Sequence, residues 1–202
     1  CCQTWSGDNS TGWGALRYNI PMAVSMSISG FPAGVGWDTG GFAGPSPSEE
    51  LLTRWVQHAV FAPRFVIHSW KPGRAATSMW MFGGHGSPGL RAMRAANNFR
   101  YTHLLAYLYQ GTLEASTLGL PMLRPLVFEF PSDPRVHRES FNFMLRDGVL
   151  VAPVLRPGQA EVQVYLPRTD SGNPLKSCDW YDWHTGEALS GGEALSVHVG
   201  RW

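Results

Sequence analysis

The chain has 202 residues, of which 44% are hydrophobic and 15% charged, and its formal net charge is +1. This composition excludes a disordered chain, because apolar and aromatic residues are too frequent. The 16 basic residues are scattered along the chain. The sequence therefore predicts no nucleic acid binding, which needs clustered positive charge. No apolar segment reaches the roughly 18–20 residues of a membrane span.

The first predicted helix covers residues 11–29, where apolar side chains recur at helical spacing. Pro21 is expected to kink this helix and Gly30 to end it. A second helix follows the motif SPSE, in which Ser46 is the predicted N-cap, Pro47 the first helical residue and Glu49 the end of a capping box. Its predicted apolar face comprises Leu51, Leu52, Trp55, Val56, Ala59 and Val60.

A third and longer helix is predicted for residues 88–117, with Gly119 after its end. Its predicted apolar side comprises Leu90, Met93, Tyr101, Leu104, Leu105 and Leu108. Two short apolar runs, AGVGW and FAPRFVI, lie between the helices, as strands do in repeating βα units. The Gly- and Pro-containing residues 69–87 are predicted to form a long loop.

After about Gly119 the pattern changes to strand-like runs, MLRPLVFEF, GVLVAPVL and VQVYL, separated by turn clusters such as PSDP and TDSGNP. This pattern predicts an antiparallel β-sandwich. The fold class is thus α/β plus all-β. Residues 1–118 are predicted to form the C-terminal part of a (β/α)8 barrel, and residues 119–202 the sandwich.

Polar residues follow the predicted strands at a regular interval. Asp8 follows TWSG, Asp38 lies 30 residues later, and His68 lies 30 residues after Asp38. A (β/α)8 barrel of roughly 250 residues uses about 30 residues for each unit. The three side chains are therefore expected at the C-terminal ends of successive strands, where barrel active sites lie.

Each residue also has a simpler explanation. Asp8 could cap or turn the chain before the first helix. Asp38 could hydrogen-bond the Thr39–Gly41 turn, and His68 could be a half-buried histidine at a strand end. The Asp-Thr-Gly sequence at Asp38 is also found in aspartic proteases, but such a protease needs two aspartates on β-rich lobes, and a helical segment follows here.

Cysteine and histidine spacing predicts neither a disulfide framework nor a metal site. The three cysteines, Cys1, Cys2 and Cys178, form no C-x-x-C pair, and the seven histidines are dispersed. The N-terminus has neither an initiating Met nor the basic start and apolar core of a signal peptide. We therefore expect an interior fragment of a longer protein.

The motifs WSGDN, GWDTGGF, AVFAPRFVIHSW, MLRPLVFEFP and WYDWHTGE, in this order, resemble glycoside hydrolase family 31, which contains retaining α-glucosidases and α-xylosidases. The resemblance implies that Asp8 is the general acid/base and that Trp5 walls the −1 subsite. It implies that Asp38 and His68 bind hydroxyls of the −1 sugar. Trp37 stands where the family usually has a small residue, and is also expected near the substrate.

A second departure from the family pattern lies before His68. The family often has an arginine two residues before this histidine, whereas this chain has Val66 there and Arg64 earlier, on the other strand face or at a lower level. Both departures lie near the expected sugar-binding mouth. They therefore concern the identity of the bound sugar.

The resemblance implies a fragment of a retaining α-glycosidase that hydrolyses terminal α-linked sugars, with α-glucosides as the expected substrates. The nucleophilic aspartate of the family lies on a strand two units before Asp8, upstream of this chain. No cofactor is expected, and the expected partner is a carbohydrate substrate. Two alternatives remain: a non-catalytic sugar-binding relative, and a transglycosylase or α-glucan lyase on the same scaffold.

Overall fold

The computed structural model describes residues 3–72, 76–83, 86–168 and 180–200. Cys1, Cys2, Cys178 and the turn cluster at residues 169–174 lie outside the described residues. Among the described residues, no helix is long and apolar enough to cross a membrane.

The first half of the chain forms a parallel sheet with helical crossovers. Strands β1 (Thr4–Trp5), β2 (Val35–Asp38) and β3 (Arg64–Val66) pair in parallel and in chain order. Helix α1 (Trp13–Ser29) connects β1 to β2, and helix α2 (Glu49–Ala59) connects β2 to β3. This arrangement confirms the predicted βα units. Both helices bury their apolar faces, which gives them their stability in the fold.

The start of α2 differs from the prediction. The N-cap is Ser48, whose hydroxyl oxygen accepts a hydrogen bond from the backbone N–H of Leu51 at 3.2 Å. The predicted N-cap, Ser46, lies two residues before it. Glu49 is the first helical residue rather than the end of a capping box. A start at Glu49 places both Glu49 and Glu50 in the first turn, where the helix dipole favours negative charge.

The third predicted helix consists of three segments. Helix α3 (Pro88–Phe99) continues through a π-helical turn (Arg100–Leu104) into helix α4 (Leu105–Leu118), which ends at Gly119 with a φ of 70°. The predicted apolar side is buried only in part, because Tyr101 and Leu105 are exposed. A π-helical turn contains an extra residue, so the side chains after it are rotated about the helix axis.

The second half of the chain is antiparallel. Strands β4 (Leu123–Pro125), β5 (Phe143–Leu145) and β6 (Val149–Val151) form one sheet in that order. The predicted strand over MLRPLVFEF is correct only as far as Pro125, because residues Leu126–Glu129 form a short helix, α5. Proline has no N–H to donate to a sheet, so strand pairing ends readily at this position.

Two further antiparallel pairs complete this half. Strand β7 (Glu161–Leu166) pairs along its whole length with β10 (Glu193–His198). Strand β8 (Trp180–Tyr181) pairs with β9 (Ala188–Leu189). On β7, Val162, Val164 and Leu166 are buried in alternation, as the sequence pattern predicts.

One hydrophobic core joins the two halves. Its members come from α1, α2, the π-helical turn, the parallel sheet and the sheet of β4, β5 and β6: Leu16, Ile20, Val35, Trp37, Trp55, Leu104, Leu123, Phe143 and Leu145 are among them. Backbone contacts add to this packing, since the N–H of Met122 donates to the carbonyl of Pro32 at 2.9 Å. The N–H of Leu123 donates to the hydroxyl of Ser27 at 3.2 Å. The antiparallel half therefore buttresses the parallel sheet from the side of α1.

Candidate active site

The C-terminal ends of β1, β2 and β3 carry the three polar residues that the 30-residue interval selects. Asp8 lies three residues after β1, Asp38 is the last residue of β2, and His68 lies two residues after β3. Because the strands are parallel neighbours, all three lie at the same edge of the sheet. Helix α1 begins after Gly12 without a side-chain cap, so Asp8 does not cap this helix.

Asp8 and His68 are exposed at this edge, whereas Asp38 is buried with 1% of its surface exposed. The imidazole of His68 lies against the ring of Phe42, with centroids 5.2 Å apart. The charges of His68 and Asp8 both act on the pKa of Asp38, lowering and raising it respectively. The three residues therefore share one electrostatic environment.

Three neighbouring residues, one on each strand of the parallel sheet, lie two residues before the level of Asp38. The strand register places Trp5, Gly36 and Arg64 side by side on β1, β2 and β3. Residues in such a row point to the same face of a sheet. Gly36 has no side chain, so the guanidinium of Arg64 reaches across it and lies 5.6 Å from the ring centre of Trp5.

Arg64 also binds Asp38. Both terminal nitrogens of the guanidinium donate to the same carboxylate oxygen, Oδ1, at 3.2 Å each. The other oxygen, Oδ2, is buried and accepts no hydrogen bond from the described residues. Burial raises the pKa of Asp38 above its ordinary value, while the hydrogen bonds and charge of Arg64 lower it.

The position of Arg64 answers the question that the sequence left open. Arg64 and Val66 are two residues apart on β3, so they point to the same face of the sheet. Arg64 therefore lies one level below the usual arginine position, and its side chain extends upward to Asp38. The simpler explanation of Asp38 holds only for its backbone, whose carbonyl accepts from the N–H of Gly41 at 3.0 Å.

Trp37 lies on the opposite face of β2. Its ring is 1% exposed, belongs to the hydrophobic core, and stands 5.1 Å from the imidazole of His58 on α2. These contacts favour a structural role. The structure thus gives no support to the substrate-binding role expected for Trp37, and the alternation of strand side chains is the reason.

The loops after the three strands are bonded to one another. The carbonyl of Asn9 accepts from the N–H of Phe42 at 2.9 Å, and the N–H of Thr11 donates to the carbonyl of Ala43 at 2.9 Å. The carbonyl of Phe42 accepts from the N–H of Trp70 at 2.9 Å. Phe42 therefore connects all three loops, which fixes Asp8 and His68 relative to Asp38.

Lys71 is a buried cation within this loop cluster. Its Nζ donates to the hydroxyls of Thr11 at 2.7 Å and Thr77 at 2.8 Å, and to the carbonyl of Gly40 at 3.4 Å. Burial lowers the pKa of Lys71 from its ordinary value. The ammonium group of Lys71 thus connects the three loops after β1, β2 and β3 through hydrogen bonds to neutral oxygens.

The sequence analysis singles out neither Lys71 nor Trp70. Trp70 is 73% exposed and lies next but one to His68, so its indole face is open at the edge of the site. The sequence held a signal for it, because an aromatic residue beside a strand-end histidine is well placed to stack on a sugar ring. The burial of Lys71 depends on three loops meeting, and one sequence does not show such a meeting.

Among residues 3–72, 76–83, 86–168 and 180–200, no group of three or more His, Cys, Asp or Glu side chains could hold a metal ion. The side chains that the structure describes at this edge include two carboxylates, an imidazole and aromatic rings.

Two family models match the chain. The model of the glycosyl hydrolases family 31 TIM-barrel domain matches residues 1–111, and that of the glycosyl hydrolase family 31 C-terminal domain matches residues 119–200. The chain belongs to glycoside hydrolase family 31.

Curated relatives agree with this assignment. The chain is 36% identical over 195 residues to a probable glucan 1,3-alpha-glucosidase of Oryza sativa subsp. japonica, which covers 96% of the chain and 20% of that protein. It is 35% identical over 189 residues to alpha-glucosidase 2 of Bacillus thermoamyloliquefaciens, covering 94% of the chain and 22% of that protein. The chain thus spans about a fifth of the length of these relatives.

Solved structures share the fold over nearly the whole chain. A cycloalternan-degrading enzyme from Trueperella pyogenes is 28% identical with a TM-score of 0.86, over 98% of this chain and 28% of that one. A GH31 alpha-xylosidase from a soil metagenome, complexed with xylose, is 29% identical with a TM-score of 0.83, over 96% of this chain and 30% of that one.

Proposed function

We propose that this chain supplies the acid/base residue and much of the −1 subsite of a retaining α-glycosidase. Residues 1–118 form the C-terminal part of its (β/α)8 barrel, and residues 119–202 form a β-sandwich. Terminal α-glucosides are the proposed substrates, because relatives 34–36% identical over most of this chain are named as α-glucosidases. The nucleophilic aspartate belongs to a segment before Cys1.

Asp8 is the proposed general acid/base. In a retaining glycosidase, two carboxyl groups stand about 5–5.5 Å apart on either side of the scissile bond. One attacks the anomeric carbon, while the other protonates the leaving oxygen and later removes a proton from water. Asp8 suits the second role because it is exposed at the strand edge, where leaving groups and water can reach it.

The neighbouring residues are proposed to hold the sugar. Oδ2 of Asp38, which the described residues leave without a donor, accepts a hydrogen bond from one sugar hydroxyl. His68 hydrogen-bonds a second hydroxyl, and Trp5, which is 42% exposed, forms an apolar wall. Hydrogen bonds to hydroxyls of a distorted ring strengthen in the transition state and so contribute to the rate. Trp37 is left out of this subsite because it lies in the core.

The observation that carries the proposal is the convergence of Asp8, Asp38 and His68 at one edge of a parallel sheet. Barrel enzymes build their active sites at this edge. This convergence places the exposed carboxylate of Asp8 near the buried carboxylate of Asp38. A glycosidase subsite needs both a group that transfers protons and a group that binds the sugar, and these two residues suit the two roles.

The test uses the full-length polypeptide that contains this chain. Wild-type protein and Asp8→Asn are assayed on maltose and on aryl α-glucosides, and the anomer first released is identified by NMR. We expect α-glucose from the wild type and a fall in kcat/KM of about 10²–10⁴-fold in Asp8→Asn with maltose. Because an activated aryl leaving group needs little protonation, the first step with aryl glucosides is expected to suffer less.

The control variant is Glu193→Gln, which makes the same carboxylate-to-amide change at an exposed position of β10. Its activity is expected to match the wild type. Release of β-glucose, or full activity of Asp8→Asn, would contradict the proposal. New glucosyl linkages would indicate a transglycosylase, an unsaturated sugar a lyase, and binding of glucose without turnover a non-catalytic relative.

A further inference from the structure

We propose that Arg64 is a positioning residue that occupies one carboxylate oxygen of Asp38 and thereby leaves the other oxygen of this carboxylate to accept a hydrogen bond from a sugar hydroxyl. The inference rests on the proposed function and goes beyond it, because the family resemblance assigns no role to Arg64. It concerns the specificity of the same site.

The geometry of the ion pair supports this role. A guanidinium and a carboxylate commonly pair through two parallel hydrogen bonds, one to each oxygen. Here both guanidinium nitrogens instead converge on Oδ1 of Asp38, at 3.2 Å each. Oδ2 is left buried and without a donor among the described residues, which is costly unless a ligand provides one.

The strand register explains why Arg64 can adopt this position. Arg64 lies beside Gly36, and an added Cβ at Gly36 would stand 2.0 Å from the carbonyl oxygen of Arg64. Only glycine therefore fits between Trp5 and Arg64. The side chain of Arg64 passes over Gly36, and its guanidinium contacts the ring of Trp5 and donates to Asp38. These two contacts fix the position of the guanidinium.

The same contact has an electrostatic consequence. Burial raises the pKa of Asp38, and Arg64 provides the largest opposing contributions through its hydrogen bonds and its charge. Without Arg64, the carboxyl would hold its proton to a higher pH. Arg64 therefore favours the ionised form of Asp38 as well as orienting it, and a protonated Asp38 would be a poorer acceptor for a sugar hydroxyl.

A double-mutant cycle in the full-length polypeptide tests the coupling. Arg64→Met, Asp38→Asn and the double variant are compared in kcat/KM for maltose and in the Kd of glucose by calorimetry. We expect Arg64→Met to lower both affinity and kcat/KM by about 10- to 100-fold. The double variant is expected to lose no more than Asp38→Asn alone, because Arg64 acts through Asp38.

The pH profile separates positioning from a general structural role. In Arg64→Met the acid limb of kcat/KM is expected to move to higher pH, because Asp38 loses its cationic partner. Arg64→Lys keeps the charge and should show a smaller movement. Arg135→Met is the matched control, since Arg135 also lies over an aromatic ring, that of Tyr165, with a distance of 5.0 Å to its centre. It should change neither the profile nor the affinity.

The outcomes distinguish this inference from the proposed function. Additive effects in the cycle, or an unchanged acid limb in Arg64→Met, would overturn the role of Arg64 while leaving the glycosidase proposal intact. If the wild type binds glucose without turnover, the hydrolase proposal fails and the binding cycle alone decides on Arg64. If the wild type shows neither turnover nor glucose binding, both proposals are wrong.

Discussion

The imidazole of His58 lies against the indole of Trp37, with ring centroids 5.1 Å apart and an interplanar angle of 37°. Nδ1 of His58 is 3.0 Å from the carbonyl oxygen of Arg54, so the neutral ring donates its proton there. Burial lowers the pKa of His58 from 6.5 to about 4. This pair lies behind the site, between β2 and α2, and it makes the stability of that region depend on pH.

We predict that the protein loses stability on acidification because of His58. Above pH 6.5 the ring is neutral in both the folded and the unfolded state, so His58 adds no pH dependence. Between pH 6.5 and about 4 only the unfolded state gains the proton, which stabilises that state by about 3 kcal/mol in total. Urea unfolding at pH 7, 5 and 4 gives the free energy of unfolding of the wild type and of His58→Phe. If this free energy falls equally with pH in the two proteins, the prediction is contradicted.

The second prediction concerns Lys71. Replacement by Met removes the ammonium group that bonds Thr11, Thr77 and Gly40, and leaves these oxygens with fewer donors. We expect a loss of about 1–3 kcal/mol in unfolding free energy and faster amide exchange in residues 39–44. Thr77→Val removes only one partner and should have a smaller effect. Unchanged exchange in Lys71→Met would show that the loops are held by other contacts.

The third prediction separates steric crowding from backbone strain in the loop after β2. Gly41 and Gly44 have φ values of 85° and 80°, which side chains rarely adopt. A Cβ at Gly41 would stand 2.5 Å from Cα of Thr11, whereas at Gly44 the nearest atom would be 3.5 Å away. Gly44→Ala should therefore cost about 1–2 kcal/mol, the strain alone. Gly41→Ala should cost more and also lower activity, because the loop that carries Asp8 must move. Equal effects would contradict the crowding.

The fourth prediction concerns Glu49, which joins two helices. Its carboxylate accepts from the N–H of Gly89 at 2.8 Å and from the hydroxyl of Ser87, at the start of α3. Glu49→Gln is expected to lower thermal stability by about 0.5–2 kcal/mol, because the N-terminus of α3 loses a negative partner. Glu50→Gln makes the same change in the same turn of α2, but there the carboxylate accepts from the N–H of Gly158 at 2.8 Å. The double variant Glu49→Gln with Ser87→Ala separates the two effects: it should lose little more than Ser87→Ala alone if Glu49 acts on α3, and strictly additive losses would contradict that contact.

The sequence predicts those features of the site that depend only on the position of a residue along the chain. The positions of Asp8, Asp38 and His68 follow from the regular length of a βα unit, which one sequence shows. The contact between Arg64 and Asp38 was not foreseen, because it needs the register of two strands and the gap at Gly36. Trp37 is adjacent to Asp38 on β2, so the alternation of strand side chains puts the two residues on opposite faces of the sheet, and the expected position of Trp37 near the substrate finds no support.

The helices show the same division. The apolar face of α2 is buried as predicted, because 3.6-residue spacing determines it. The sequence predicts the N-cap two residues too early, because both serines of SPSE can cap a helix. The carboxylate of Glu49 closes no capping box and instead accepts from the N–H of Gly89, which is 40 residues away in sequence. Tyr101 lies within the π-helical turn and Leu105 directly follows it, and the periodicity of the sequence does not reveal this turn.

The loop between β3 and α3 is bonded to other parts of the chain at both of its ends. Near its start, Nζ of Lys71 donates to the hydroxyl of Thr11, and at its end the hydroxyl of Ser87 donates to Glu49. Between these points, Met79, Met81 and Phe82 pack against buried residues of α2 and α3. A change in this loop is therefore expected to alter both the edge that carries His68 and the packing of α2 against α3, so evolution is less free to vary it than a loop that lies wholly in solvent.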